Sequence, residues 1–157
     1  MGAQRDDYLL REIDRLRALV AALCDARNLP AEVERGLRLA FDLQAKLFPL
    51  PPERFLALDA ATQFERLRDQ LPDDLARERC ATYAELLFHT ATLYDFADRA
   101  ELAAGARQLS LHQILLTHRT CGDEETAQLA ELIASACPRE ELAAPVAALL
   151  DEFYRAN

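Results

Sequence analysis

The chain of 157 residues is poor in the residues that build loops, strands and phosphate cradles. Glycine occurs 4 times and tryptophan is absent. No Asn-Gly or Asp-Gly step marks a tight hairpin. Neither GxxxxGK[ST] nor GxGxxG is present, so no glycine-rich loop is spelled out for a nucleotide phosphate. Serine stands only at Ser110 and Ser135, and no GxSxG nucleophile elbow surrounds either. Aromatics make up 7 % of the residues and β-branched residues are few, which argues against a sheet. Lysine is represented by Lys46 alone; the other basic residues are arginines interleaved with acids. With 18 basic against 27 acidic residues the net charge is −9, the wrong sign for displacing counterions from nucleic acid or for an anionic membrane. No apolar run approaches the roughly 18 residues of a membrane span.

What remains is a helix-forming composition. Half of the residues are apolar (51 %), enough for a globular core, and Ala, Leu, Glu and Arg fill most of the chain. The expectation is an all-α fold, an antiparallel bundle of about seven or eight helices in one domain over residues 1–157. Within it, residues 1–48 read as an N-terminal helical hairpin and 49–71 as a proline-rich connector with short helices. Residues 72–157 read as repeat-like helical hairpins.

The first helix, DYLLREIDRLRALVAALCDARN, starts with Asp6 or Asp7 as N-cap and closes at Asn28. Leu9, Ile13, Leu16, Val20 and Leu23 are spaced 4, 3, 4 and 3, a narrow seam suited to packing in the bundle or to contact with another chain. Pro30 opens a second helix with Val33, Leu37, Phe41 and Leu47 or Phe48 on its buried side. Pro49, Pro51 and Pro52 then interrupt the chain. Phe48, Leu50, Phe55 and Leu56 are more apolar than a solvated linker needs; they suit a plug at the end of the bundle or a functional loop. Thr62 and Glu65 match a capping box, with Phe64 and Leu67 facing inward.

Pro72-Asp73-Asp74 starts a long helix, and Asp98-Arg99 turns it into the next, with Leu102, Ala106, Leu109, Gln113 and Leu116 along one face. His118 and Arg119 sit in its last turn, with Gly122 just beyond. Asp123, Glu124 and Glu125 open a helix striped by Ala127, Ala130, Ile133 and Ala134. Pro138 begins a short turn, and the last helix starts at Pro145.

The hairpin from residue 84 to about 110 resembles a single tetratricopeptide-type repeat, on the steps Leu87, Ala91, Tyr94, Ala103 and Ser110. It departs at Arg107, where the repeat has an aromatic, and at Thr90, where leucine is usual. That resemblance implies a tetratricopeptide-like array in the C-terminal half. The opening DYLLREI also resembles the start of uncharacterised bacterial all-helical proteins, a match that carries no activity.

Chemistry-bearing residues are sparse. His89 lies four residues after Glu85, as in an ordinary exposed helix pair, and Tyr94 is expected in the core with its hydroxyl at the rim. His118 and Cys121 have tolerable spacing for zinc but lack a second short-spaced pair. Glu-x-x-His, the di-metal bundle signature, precedes none of the three histidines. Cys24, Cys80, Cys121 and Cys137 form no CxxC pair, and the opening MGAQRDDY does not read as a signal peptide. Reduced thiols in a cytoplasmic protein are the expectation. No catalytic residue, cofactor or metal is expected. The favoured function is a non-enzymatic helical protein that binds a protein partner or itself, with no nucleic acid or membrane. The alternatives are a small-molecule-binding bundle or enzyme with a pocket near His89, Tyr94 or Cys121, and a metal protein using His118 and Cys121.

Overall fold

Prolines mark where the helices begin, because a fixed φ and a missing N–H cost nothing at a first turn. The computed structural model describes the backbone of residues 2–25 and 30–156, and the side chains of 7–22 and 30–156. Eight α-helices and no strand are found among the described residues. They are α1 (Gly2–Asp25), α2 (Pro30–Leu47), α3 (Pro52–Leu56), α4 (Ala60–Arg68), α5 (Asp73–Phe96), α6 (Ala100–Cys121), α7 (Glu124–Ser135) and α8 (Ala144–Ala156). A 3-10 turn, Arg139–Glu141, precedes α8. Pro30 and Pro52 are first residues of their helices, Pro72 caps α5, and Pro145 lies in the first turn of α8. The all-α bundle is as composition implies. No described helix is long and apolar enough to cross a membrane.

Helix ends differ from expectation at α1 and α4, whereas Gly122 follows α6 as expected. α1 is helical from Gly2, so Asp6 and Asp7 lie inside it rather than at its cap; Asn28 lies outside the described residues. Asp59 caps α4, its carboxylate accepting from the Thr62 N–H at 2.7 Å, so Thr62 is the third helical residue and not the cap. Gly122 ends α6 with φ −72°, not in the left-handed region, and its N–H donates to the His118 carbonyl. Asp123 and Thr126 make the reciprocal cap of α7.

The core forms two clusters that share α5 and α6. The first joins Ile13, Leu16 and Val20 of α1, Val33, Leu37 and Leu43 of α2, Phe55, Phe64 and Leu67 of the connector, and Tyr83, Leu86 and Leu93 of α5. The second joins Leu111, Ile114 and Leu115 of α6 to Ile133 of α7 and to Val146, Leu150 and Phe153 of α8. Small residues let α5 and α6 approach closely: Ala84, Ala91, Ala103 and Ser110 are all fully buried. Ser110 Oγ donates to the Ala84 carbonyl at 2.6 Å, which satisfies the buried hydroxyl and ties α6 to α5. Asp98, at φ 58°, reverses the chain between the two helices, a conformation Asp tolerates better than most residues.

The connector closes one end of the first cluster. Phe48 stacks on Phe55 with ring centroids 4.0 Å apart, and Tyr83 meets both rings edge-on at 5.5 and 5.8 Å. Leu50 is half-buried beside them, whereas Leu56 points to solvent. Two residues expected inside are exposed. Phe41 is 43 % exposed, because α2 turns Ala40, Leu43 and Gln44 inward instead. Leu102 is 51 % exposed, because Ala103 takes the buried position in the first turns of α6.

Candidate functional site

The seam on α1 lies inside the bundle. Ile13, Leu16 and Val20 are buried and Leu9 is half-buried against the first core cluster; the side chain of Leu23 lies outside the described residues. The surface that spacing offered to another chain is therefore covered here by α2 and α5. α1 and α2 run antiparallel, shown by Lys46 over the Tyr8 ring at 4.6 Å and by Leu19 beside Gly36. Gly36 is where three helices meet. A Cβ placed there would lie 3.0 Å from a Leu93 methyl of α5 and 3.2 Å from a Leu19 methyl of α1.

The groove that holds α1 has a charged edge. Arg17, the residue after Leu16, donates from Nε and Nη2 to the two carboxylate oxygens of Glu85, both at 2.7 Å. Asp14 holds the same guanidinium from one turn back at 2.8 Å. Glu85 also pairs with His89 Nε2 at 3.1 Å. The expected exposed Glu85–His89 pair is thus a half-buried three-residue cluster joining two helices. Burial pushes the Glu85 pKa up, but the hydrogen bonds from His89 and Arg17 and the Arg17 charge outweigh it and hold the carboxyl at about 2. The hydrogen bond to Glu85 raises the Arg17 pKa in turn.

Beyond Glu85 the edge opens into a cleft of about 540 Å³ between α5 and α7, lined by Asp74, Glu78, Asp123 and Glu125. Arg77 spans it, pairing with Asp123 at 3.1 Å and donating to the Cys121 carbonyl at 3.1 Å.

The remaining candidates sit apart from this groove. Tyr94 is half-buried, its ring tilted on Phe41 at 6.3 Å, and desolvation raises its pKa. His118 Nδ1 lies 2.9 Å from Thr126 Oγ1, and its ring meets Phe153 edge-on, so the imidazole joins α6 to α7 and α8. Among the described residues no group of three or more His, Cys, Asp or Glu gathers as a metal site. Burial pushes the thiols of Cys121 and Cys137 up, and that of Cys80 to about 12, which keeps them protonated and weakly nucleophilic. The side chain of Cys24 lies outside the described residues.

Residue spacing did not reveal a buried polar network beneath α4. Tyr83 Oη donates to Gln63 Oε1 at 3.0 Å, and Gln63 Nε2 donates to the Leu58 carbonyl at 3.2 Å. Gln113 Nε2 donates to the Ala60 carbonyl at 2.9 Å. Two glutamines at buried helical positions were the available signal, since an amide enters a core only with partners. These bonds hold α4 onto α5 and α6, and so fix the end of the bundle that supports the groove. No protein-family model, curated protein or solved structure matches this chain.

Proposed function

We propose that the protein is a non-enzymatic helical interaction domain that binds another protein through an amphipathic helix. The observation that carries this reading is the groove between α2 and α5. It accepts a helix along a narrow apolar stripe and fixes its register with one carboxylate, Glu85. Helix-in-groove recognition uses those two elements, apolar anchors at 3–4 spacing and a polar contact at the edge. The small-residue crossing of α5 and α6, on the steps of a tetratricopeptide-like hairpin, supports the same reading, because such hairpins present surfaces suited to a partner helix. The protonated, half-buried or buried thiols favour it over nucleophilic chemistry.

A native mass spectrum of the protein, purified gently from its own cells, tests the reading. A second protein chain bound in defined stoichiometry is expected; a bare monomer would overturn it. A second reading, small-molecule binding, draws on the groove of about 310 Å³ between α6 and α8, floored by Leu115 and Leu149 and edged by Arg119 and Glu152. That volume is at the lower limit of ligand pockets. A small extra mass on the monomer in the same spectrum would favour it.

A further inference from the structure

We propose that α1 is a displaceable occupant of the groove between α2 and α5, and that the groove receives a more basic amphipathic helix of a partner protein. The proposal rests on the interaction reading above and names its site. The described part of α1 is held along one narrow seam. Among its side chains 7–22, Ile13, Leu16 and Val20 are buried and Leu9 and Leu19 are half-buried against the first core cluster. Besides that stripe, the bonds described from α1 to the rest of the bundle are the Arg17–Glu85 pair and the contact of Tyr8 with Lys46. Elements with few buried apolar contacts open at the lowest free energy.

The groove, by contrast, does not depend on α1. Gly36 brings α2 directly against Leu93 of α5. Gln44 Nε2 donates to Thr90 Oγ1 at 2.9 Å in the interior, and Phe48 packs on Tyr83. When α1 leaves, α2 and α5 stay together and an apolar trough with Glu85 on its edge is exposed.

Charge says what would compete for that trough. Five carboxylates line the cleft at its edge, those of Asp74, Glu78, Glu85, Asp123 and Glu125, and Arg77 is the cation there besides Arg17. α1 brings a single arginine to this excess. A helix with the α1 spacing, an arginine at the Arg17 position and further arginines on the same flank complements the cleft better than α1 itself. On α1 that flank carries Leu10, solvent-exposed and two turns before Arg17, toward the end of α5 that bears Asp74 and Glu78. Opposite charge raises association rate and selects the partner, while the apolar stripe supplies the affinity.

The experiment uses the full chain and a fluorescent peptide of residues 2–25 carrying Leu10→Arg. Anisotropy should show saturable binding, about tenfold tighter than for the unaltered peptide, and hydrogen exchange should show α1 of the protein losing protection. Binding should weaken again on Glu78→Gln protein, which removes a cleft carboxylate without touching the Arg17–Glu85 tie and whose folding is checked by circular dichroism, and vanish for a peptide that also carries Leu16→Asp. No binding, equal binding by the Leu16→Asp peptide, or binding with α1 still protected would each overturn the proposal. So would a dimer of the chain alone that exchanges α1 between copies, which makes a second copy the occupant. A partner seen in the native spectrum while the peptide fails removes this groove and leaves the interaction reading. Peptide binding by a protein that purifies bare does the opposite.

Discussion

Arg17 on α1 and Glu85 on α5, 68 positions apart, meet in a two-point ion pair with both N···O distances at 2.7 Å. The pair makes an acid-sensitive tie. Glu85 has an ordinary value of 4.5 and sits at about 2 in the folded protein. A depressed carboxyl contributes stability that is fully present above its unfolded value and is lost as pH falls toward its folded value. The window is therefore pH 4.5 down to about 2. Glu85→Gln should destabilise the protein by about 2 kcal/mol at pH 7. Through the acid window its unfolding free energy should fall less steeply, by up to about 1.4 kcal/mol per pH unit. Other carboxylates, such as the capping Asp59 and Asp123, titrate in both proteins and cancel. Urea melts across the window test this; parallel pH profiles would count against the tie.

Tyr83, and not Tyr94, is the tyrosine on which the core depends. It is fully buried, its ring lies among Phe48 and Phe55, and its hydroxyl donates to Gln63. Tyr83→Ala should cost about 3–5 kcal/mol. Tyr83→Phe keeps the ring and removes a donor from a buried amide, so about 1–2 kcal/mol is expected. Tyr94→Ala, at a half-buried site, should cost less than Tyr83→Ala. Denaturant melts of the three variants give the order directly, and a larger loss at Tyr94 would mean that the core is centred elsewhere.

Helices and their starts were legible because their signals are local. Pro30, Pro72 and Asp123 each act within one turn of where they stand, and the structure begins a helix at each. Which face of a helix is buried was legible only where one neighbour covers it. α1 meets the core along one line, and the 4, 3, 4 spacing of Leu9, Ile13, Leu16 and Val20 follows it. α2 packs against both α1 and α5, so its buried residues spread over two lines, and a four-residue step from Leu37 arrives at Phe41, outside both. The Arg17–Glu85 pair and the Tyr83–Gln63 bond join residues 68 and 20 positions apart. Spacing within a helix carries no information about such partners, so the charged edge of the groove was not visible until the helices were placed.

Two glycines of similar appearance in sequence should respond oppositely to alanine. A Cβ at Gly105 meets nothing within 4 Å, and the residue is exposed in the interior of α6. Gly105→Ala should stabilise the protein by about 0.5–1 kcal/mol through helix propensity and a less disordered unfolded chain. A Cβ at Gly122 would lie 2.4 Å from the His118 carbonyl oxygen, which is backbone and cannot swing away. The turn between α6 and α7 must then shift, at a cost of about 1–3 kcal/mol. Thermal melts of the two variants should move in opposite directions, and a shared direction would contradict the close approach at Gly122.

The inner face of α2 gives a last, direct test, because spacing placed Phe41 on the buried side and the structure buries Leu43, two positions on, instead. Leu43 is fully buried in the first core cluster, and its removal leaves a cavity there. Leu43→Ala should therefore cost about 2–5 kcal/mol. Phe41 has the larger side chain but is 43 % exposed, and its described ring contact is a tilted one with Tyr94. Phe41→Ala should cost about 1 kcal/mol, the remainder of its surface being already in water. If equilibrium unfolding reversed that order, α2 would have to be rotated by roughly half a turn. Gly36 would then no longer face Leu93, and the groove that holds α1 would lose one of its walls.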